Sequence, residues 1–334
     1  MGGFILIILA DIFLAFCFAG QKYFESKNGS SPAAGSAFSC YCNFFKTVFF
    51  GAVCTVTSLF FKEPKNSSLF LPFSWLFALI IALLVSAYTV LGFSLLKKGG
   101  ITLYTLFLML GGMTLPYLYG VIFLNERLTV LRTVGIILII AALIFYNINF
   151  KKENKNNKEN NQTKKSNLIY ILPVCIAVFI LNGFVSIASK IHQIESSLPK
   201  ADTFEFSFLS SALGFVFSCF LYLFFKKAEK TSNKENKSIK NKQNAEQSPK
   251  GITDYIKNKN VLFATIAAAF FGGISYLLQL KGAVNIPASV LYPLVTGGSI
   301  VFSAAADKLL FKMHLSVTQI IGLITCIAGT FFFL

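Results

Sequence analysis

The chain has 334 residues, of which 55% are hydrophobic and 13% charged, with a mean hydropathy of +0.66. That charged share is about half the usual one, and 38 phenylalanines exceed what a soluble core absorbs, so the composition excludes a soluble globular domain and implies a polytopic membrane protein. The formal charge of +16 does not point to nucleic acid: only two of the 30 basic residues are Arg, and about half of the 30 sit in two polar loops without aromatic interleaving, which suits a topology signal or anionic lipid.

Ten apolar runs follow in chain order, at about 4–22, 38–61, 73–96, 101–124, 129–149, 167–190, 204–225, 261–281, 286–308 and 316–334. Each is long enough to cross ~30 Å of hydrocarbon at ~1.5 Å per residue. Backbone groups in lipid must pair internally, so the runs are helices, and the alternation of a membrane barrel strand is absent. The first run lacks a basic start and a cleavage site and reads as a retained helix, not a signal peptide. Two segments are rich in Lys, Asn and Glu, 151–166 and about 227–259. They hold too little apolar surface to fold and read as disordered connectors. The first divides the chain into 1–150 and 167–334, with five helices each.

The two halves echo each other. "LMLGGMTLPYLYGVIFLNERLTVLRTVGIILIIAALIFY" lies over "PLVTGGSIVFSAAADKLLFKMHLSVTQIIGLITCIAGTFFF", which puts Gly111-Gly112 on Gly297-Gly298 and Gly135 on Gly322. A weaker match puts Lys22 on Lys190. Five is an odd number, so two tandem units sit in the membrane with opposite orientation. The expected fold class is an all-α polytopic membrane protein of ten transmembrane helices, arranged as two inverted five-helix repeats. Inverted repeats are a hallmark of secondary transporters, with the substrate site near mid-membrane where the repeats meet.

These residues carry a family resemblance. Two five-helix halves, each with a glycine pair, a glycine and a "L.E.L(T/S)"-like turn, resemble the drug/metabolite transporter superfamily and its EamA-like members. Ser31-Pro32, followed by Lys46 inside helix two, fits as well, although the family usually has Arg there. The second half departs from the pattern, with Met313 where the first has Glu126. The resemblance implies alternating-access movement of a small metabolite or amphipathic drug through a central cavity, coupled to a proton or an exchanged solute.

Several residues are candidates for that work. Asp11 lies about seven residues inside helix one, where an ionisable group is costly and marks function by default. It can trade a proton for a substrate, or serve as a paired structural carboxylate. Small multidrug-resistance relatives look similar, with a carboxylate after Ala in helix one, but Phe179 occupies the matching place in helix six. Lys46 pairs with Asp11, binds an anionic group, or snorkels to the interface. Polar stripes at helical spacing comprise Asn182, Ser186, Ser189 and Gln193, then Gly272, Ser275, Tyr276 and Gln279. Tyr88, Tyr117, Tyr119 and Tyr292 offer an aromatic lining with hydroxyl handles. Gly111, Gly112 and Pro116, and in the other half Pro293, Gly297 and Gly298, are hinge candidates or close-packing points. Glu126 sits in the turn after helix four, as a structural lock or a gate.

The seven cysteines form no CxxC pair, so they read as small hydrophobes, and no metal or cofactor is expected. There is no HExxH or GxSxG, so an enzyme is not expected. A non-transporting scaffold or sensor, and a flippase-like transporter of lipid-linked sugars, stay open as alternatives. Expected partners are the lipid bilayer, a small-molecule substrate and protons, in a monomer or homodimer. The expected setting is a cell membrane, of the bacterial inner-membrane kind. The two Lys-rich segments favour termini outside by the positive-inside rule, whereas the family is usually described with cytoplasmic termini.

Overall fold

The computed structural model describes residues 2–60, 71–127, 129–148, 161–239, 251–311 and 317–332. Within them the elements are α1 (Gly2–Asn28), α2 (Pro32–Phe60), α3 (Pro72–Phe123), α4 (Val130–Ile148), α5 (Asn161–Ile194), α6 (Thr203–Ile239), a 3-10 turn (Ile252–Ile256), α7 (Lys259–Asn285), α8 (Ala288–Phe311) and α9 (Val317–Phe331). No strand occurs among the described residues. Seven helical stretches are long and apolar enough to cross a membrane, and three shorter apolar ones cover Phe107–Phe123, Val130–Ala142 and Ile320–Phe331. Large apolar side chains such as Val48, Ile122, Phe220 and Phe263 stand exposed on their outer faces. That is the surface expected to meet lipid tails.

Several boundaries differ from the sequence expectation. Helix α2 opens at Pro32 rather than near 38, because Ser31 accepts a hydrogen bond from the Ala34 amide (3.1 Å) and Pro32 suits the first helical position. The polar stretches are also more helical than expected. Helix α5 already includes 161–167, α6 runs on through Ile239, and Ile252–Ile256 form the 3-10 turn. Lys and Glu are good helix formers, so a helix can continue past its apolar part. Residues 151–160 and 240–250, and the 312–316 segment with Met313, lie outside the described residues.

The expected runs 73–96 and 101–124 both fall in α3, which is helical throughout its 52 residues. As a straight rod it would be about 78 Å long. Yet both its ends lie at one end of the molecule. Ser74 bonds His192 (2.9 Å), while Glu126, just past α3, bonds Ala288, and Lys190 reaches Ile286. Phe93 instead packs on Phe24 and Gly35 at the opposite end. So α3 is two antiparallel arms that reverse between residues 93 and 107.

The same contacts give the sense of the other helices. Helix α1 starts beside Ile286 (at Gly3) and ends beside Tyr255 (at Phe24). Helix α5 runs the other way, reaching the Ser74 end at His192. Helices α2 and α6 pack side by side in opposite senses, as do α4 and α9. Here the tripeptide Phe38-Ser39-Cys40 meets its own likeness, Phe217-Ser218-Cys219: Ser39 Oγ lies 2.8 Å from Ser218 Oγ, and Cys40 Sγ 3.1 Å from Cys219 Sγ. The 3-10 turn closes the far end, with its Ile252 carbonyl accepting from Tyr41 (2.9 Å) and its Tyr255 carbonyl from Asn28 (3.0 Å). Burial pushes the Tyr255 phenol up to about 12, so it stays neutral.

Candidate functional site: a cavity where the two halves meet

A cavity of about 250 Å³ lies at the centre, walled by α1, α2, both arms of α3, α5, α6, α7 and α8. Both halves of the chain therefore contribute. The volume is a little below the ~300–1,000 Å³ usual for small-molecule sites. Polar residues of a membrane helix are cheapest where they face protein or water, so the stripes turn inward.

The structure brings most of the expected residues together. Lys46, Tyr88, Asn182, Ser186, Ser189, Gly272, Ser275, Tyr276, Gln279, Tyr292 and Gly112 all line the cavity. Many are fixed by hydrogen bonds. Asn182 donates to the Leu108 carbonyl (2.7 Å), Gln279 to Ser275 (3.1 Å), and the Tyr292 hydroxyl to the Ser186 carbonyl. Ser189 and Tyr276 share a hydrogen bond of 3.2 Å. Tyr117 is buried outside this lining, Tyr119 stacks on Phe123, and Gln193 donates to His192 Nδ1.

Lys46 is the charged side chain of the described lining, which contains no Asp or Glu. Its stem lies against Gly272 and Gly273, at ordinary contact distances of 3.6 and 3.5 Å from where their Cβ atoms would be. The structure forms no ion pair between Lys46 and Asp11 among the described residues.

Asp11 lies elsewhere. It is 2% exposed, outside the cavity lining, between α1 and α8. A Cβ on Gly298 would come within 2.0 Å of its Oδ2, so only glycine fits there without a shift. Its Oδ1 is buried without a hydrogen-bond partner. The first-half glycine Gly111 meets backbone instead. Gly111 lets α3 come so near α5 that a Cβ would meet the Phe179 carbonyl oxygen at 2.0 Å. Thus the Asp11 side chain presses on the second glycine of its pair, Gly298, and the Phe179 backbone on the first of the other pair, Gly111. Pro116 and Pro293 lie inside their helices on the same two elements.

Glu126 is a clamp between the halves. Its carboxylate accepts from the Ala288 and Ser289 amides, both at 2.7 Å, at the start of α8. Just before that start, Lys190 donates to the Ala283 and Ile286 carbonyls at the end of α7. The anion meets the positive end of one helix and the cation the negative end of the other, satisfying groups that helix termini leave unpaired. Asn125 supplies the turn in a left-handed conformation (φ 52°).

Sequence reasoning missed Gln21, Asn43, Thr89, Ser210, Ser211 and Thr296 in the lining. Their signal was present, since each is a polar residue inside an apolar run.

A family model described as "EamA-like transporter family" matches residues 168–334, half of the chain. The chain belongs to the EamA-like transporter family. This EamA-like chain is therefore a multi-pass membrane protein of a transporter family in the drug/metabolite transporter superfamily. No curated protein matches it. Among solved structures, one described only as a crystal structure of a protein has a TM-score of 0.64 at 14% identity, covering 99% of this chain and 97% of that one. At that identity the likeness is one of fold, and it extends over both halves.

Proposed function

We propose that this EamA-like protein is a secondary transporter of the cell membrane, moving a small metabolite or amphipathic drug by alternating access. The observation that carries the reading is the cavity of about 250 Å³ lined by helices of both halves. The halves act as inverted repeats. In support, α1 and α5 run in opposite senses, and Phe38-Ser39-Cys40 meets Phe217-Ser218-Cys219. Rocking one half against the other re-opens such a cavity on alternate sides.

Coupling to a proton or an exchanged solute belongs to the same proposal, with Asp11 as the coupling group. Its unpartnered Oδ1 sits between α1 and α8, and both helices also wall the cavity. A proton taken or lost there changes the cost of that packing. Asp11 then acts on the cavity through helix position, without touching the solute.

Comparative metabolomics tests this. Cells expressing wild type, Asp11→Asn at matched membrane abundance, or an empty vector are compared, along with their medium. Wild type should redistribute one compound class across the membrane, and Asp11→Asn should lose most of that shift. Equal shifts in wild type and mutant would leave transport standing and remove Asp11 from coupling. No shift with correctly inserted wild type, across several media, would sink the transporter reading.

A further inference from the structure

We infer that the cavity binds a small organic anion, a carboxylate or phosphate monoester, with Lys46 as its charge partner and Gln21 as a second donor. The inference rests on the transporter reading and names its substrate class.

Two independent observations point to an anion. The first is charge. Lys46 faces a described lining without a carboxylate, and the described residues give its ammonium no hydrogen bond or ion pair. Asp11, the nearest idea of a counter-ion from sequence, is packed against Gly298 outside the lining. An ammonium held in a low-dielectric site seeks an anion, and the site as built leaves that place to the solute. The second is an orphan donor. Gln21 lines the cavity, is 7% exposed, and its Nε2 is buried without a partner. Buried polar groups in native proteins are otherwise satisfied, so this donor gains a partner if the Gln21 side chain turns toward an acceptor in the cavity it lines.

The two donors belong to one wall. Gln21 is one helical turn beyond Cys17 on α1. Cys17 Sγ and Lys46 Cε both lie close to Gly272, within 2.8 and 3.6 Å of where its Cβ would be. Three neutral lining donors, Asn182, Gln279 and Tyr292, are engaged with protein acceptors. A carboxylate or phosphoryl group accepts from an ammonium and an amide together. The remaining wall, with Phe18, Phe50, Tyr88 and Leu291, suits an apolar or aromatic body. A cationic solute would face Lys46 with nothing to offset the repulsion.

The test uses the purified full chain in detergent and reads thermal unfolding as each probe is added. The anionic probes are succinate, phenylacetate and glycerol 3-phosphate, against glycerol, uridine and choline. At least one anion should raise the melting temperature in a saturable way, and choline should not. Lys46→Gln should weaken that anion about tenfold or more, the scale of one charge-assisted hydrogen bond. Lys46→Arg should restore most of it, and Gln21→Leu should weaken it several-fold. Stabilisation by anions that persists in Lys46→Gln overturns the proposal. So does stabilisation by neutral or cationic probes alone, or by none of the anions. Uptake of the same probes into proteoliposomes separates the two readings. An anion that binds through Lys46 but never crosses sinks transport and leaves the anion site. A neutral solute carried equally by wild type and Lys46→Gln sinks the anion site and leaves transport.

Discussion

Glu126 shows how one residue ties distant parts of the chain together. Its carboxylate holds two amides 162 and 163 positions away, while Lys190 holds the carbonyl side of the same turn. Hydrogen bonds to a charged group contribute about 1.5–3 kcal/mol, so Glu126→Ala should cost roughly that much, and Glu126→Gln less, since one amide oxygen can still accept. Because both residues fix one turn, Glu126→Ala and Lys190→Met should be non-additive by about 0.5 kcal/mol or more. A double-mutant cycle of unfolding in detergent measures this, and strict additivity would show that the two clamps act separately. A second residue-scale anchor is His192, fully buried, stacked 3.7 Å from Phe206 (centroid to centroid) and bonded to Ser74.

At the scale of helices, the glycine pairs are contact points first. Gly111→Ala and Gly298→Ala should both destabilise by about 1–3 kcal/mol, the usual cost of overpacking. They should differ in rescue. The obstacle at Gly298 is the Asp11 side chain, so Asp11→Ala should recover stability in Gly298→Ala. The obstacle at Gly111 is the Phe179 backbone carbonyl, so Phe179→Ala should recover nothing in Gly111→Ala. Equal rescue at both would contradict the packing described for α3 on α5. Helices α2 and α6 offer an independent ruler. With 3.1 Å between Cys40 Sγ and Cys219 Sγ, a copper–phenanthroline oxidant should join them, a link seen by mass spectrometry and lost in Cys219→Ser. No link under conditions that oxidise the protein's other thiols would show that α2 and α6 do not meet there.

Across the whole molecule, charge is unevenly placed. Among the described residues, Lys22, Lys27, Lys226, Lys227, Lys230, Lys257, Lys259 and Lys308 lie toward the end closed by the 3-10 turn, whereas Arg127, Arg132, Lys190, Lys200 and Lys281 lie toward the Ser74 end. The positive-inside rule then predicts that the 3-10 turn faces the cytoplasm. In a cysteine-free background, Lys200→Cys should react with a membrane-impermeant maleimide in intact cells, and Lys257→Cys only after lysis. The reverse pattern would place Gly2 and the Ser74 end inside. Much of this molecule was legible in the sequence. Apolar runs and the inward polar stripes are local or periodic signals, and a lipid environment enforces them residue by residue. Even the polar members of the lining were visible as exceptions within greasy runs. The tertiary structure alone decided who meets whom: that Asp11 packs on Gly298 rather than facing Lys46, that Glu126 caps a helix from the other half, and that α3 doubles back. Hydropathy says which side of a helix avoids lipid. It carries no information about which distant group arrives there, because that depends on how separate helices dock, and so on contacts between residues far apart in the chain.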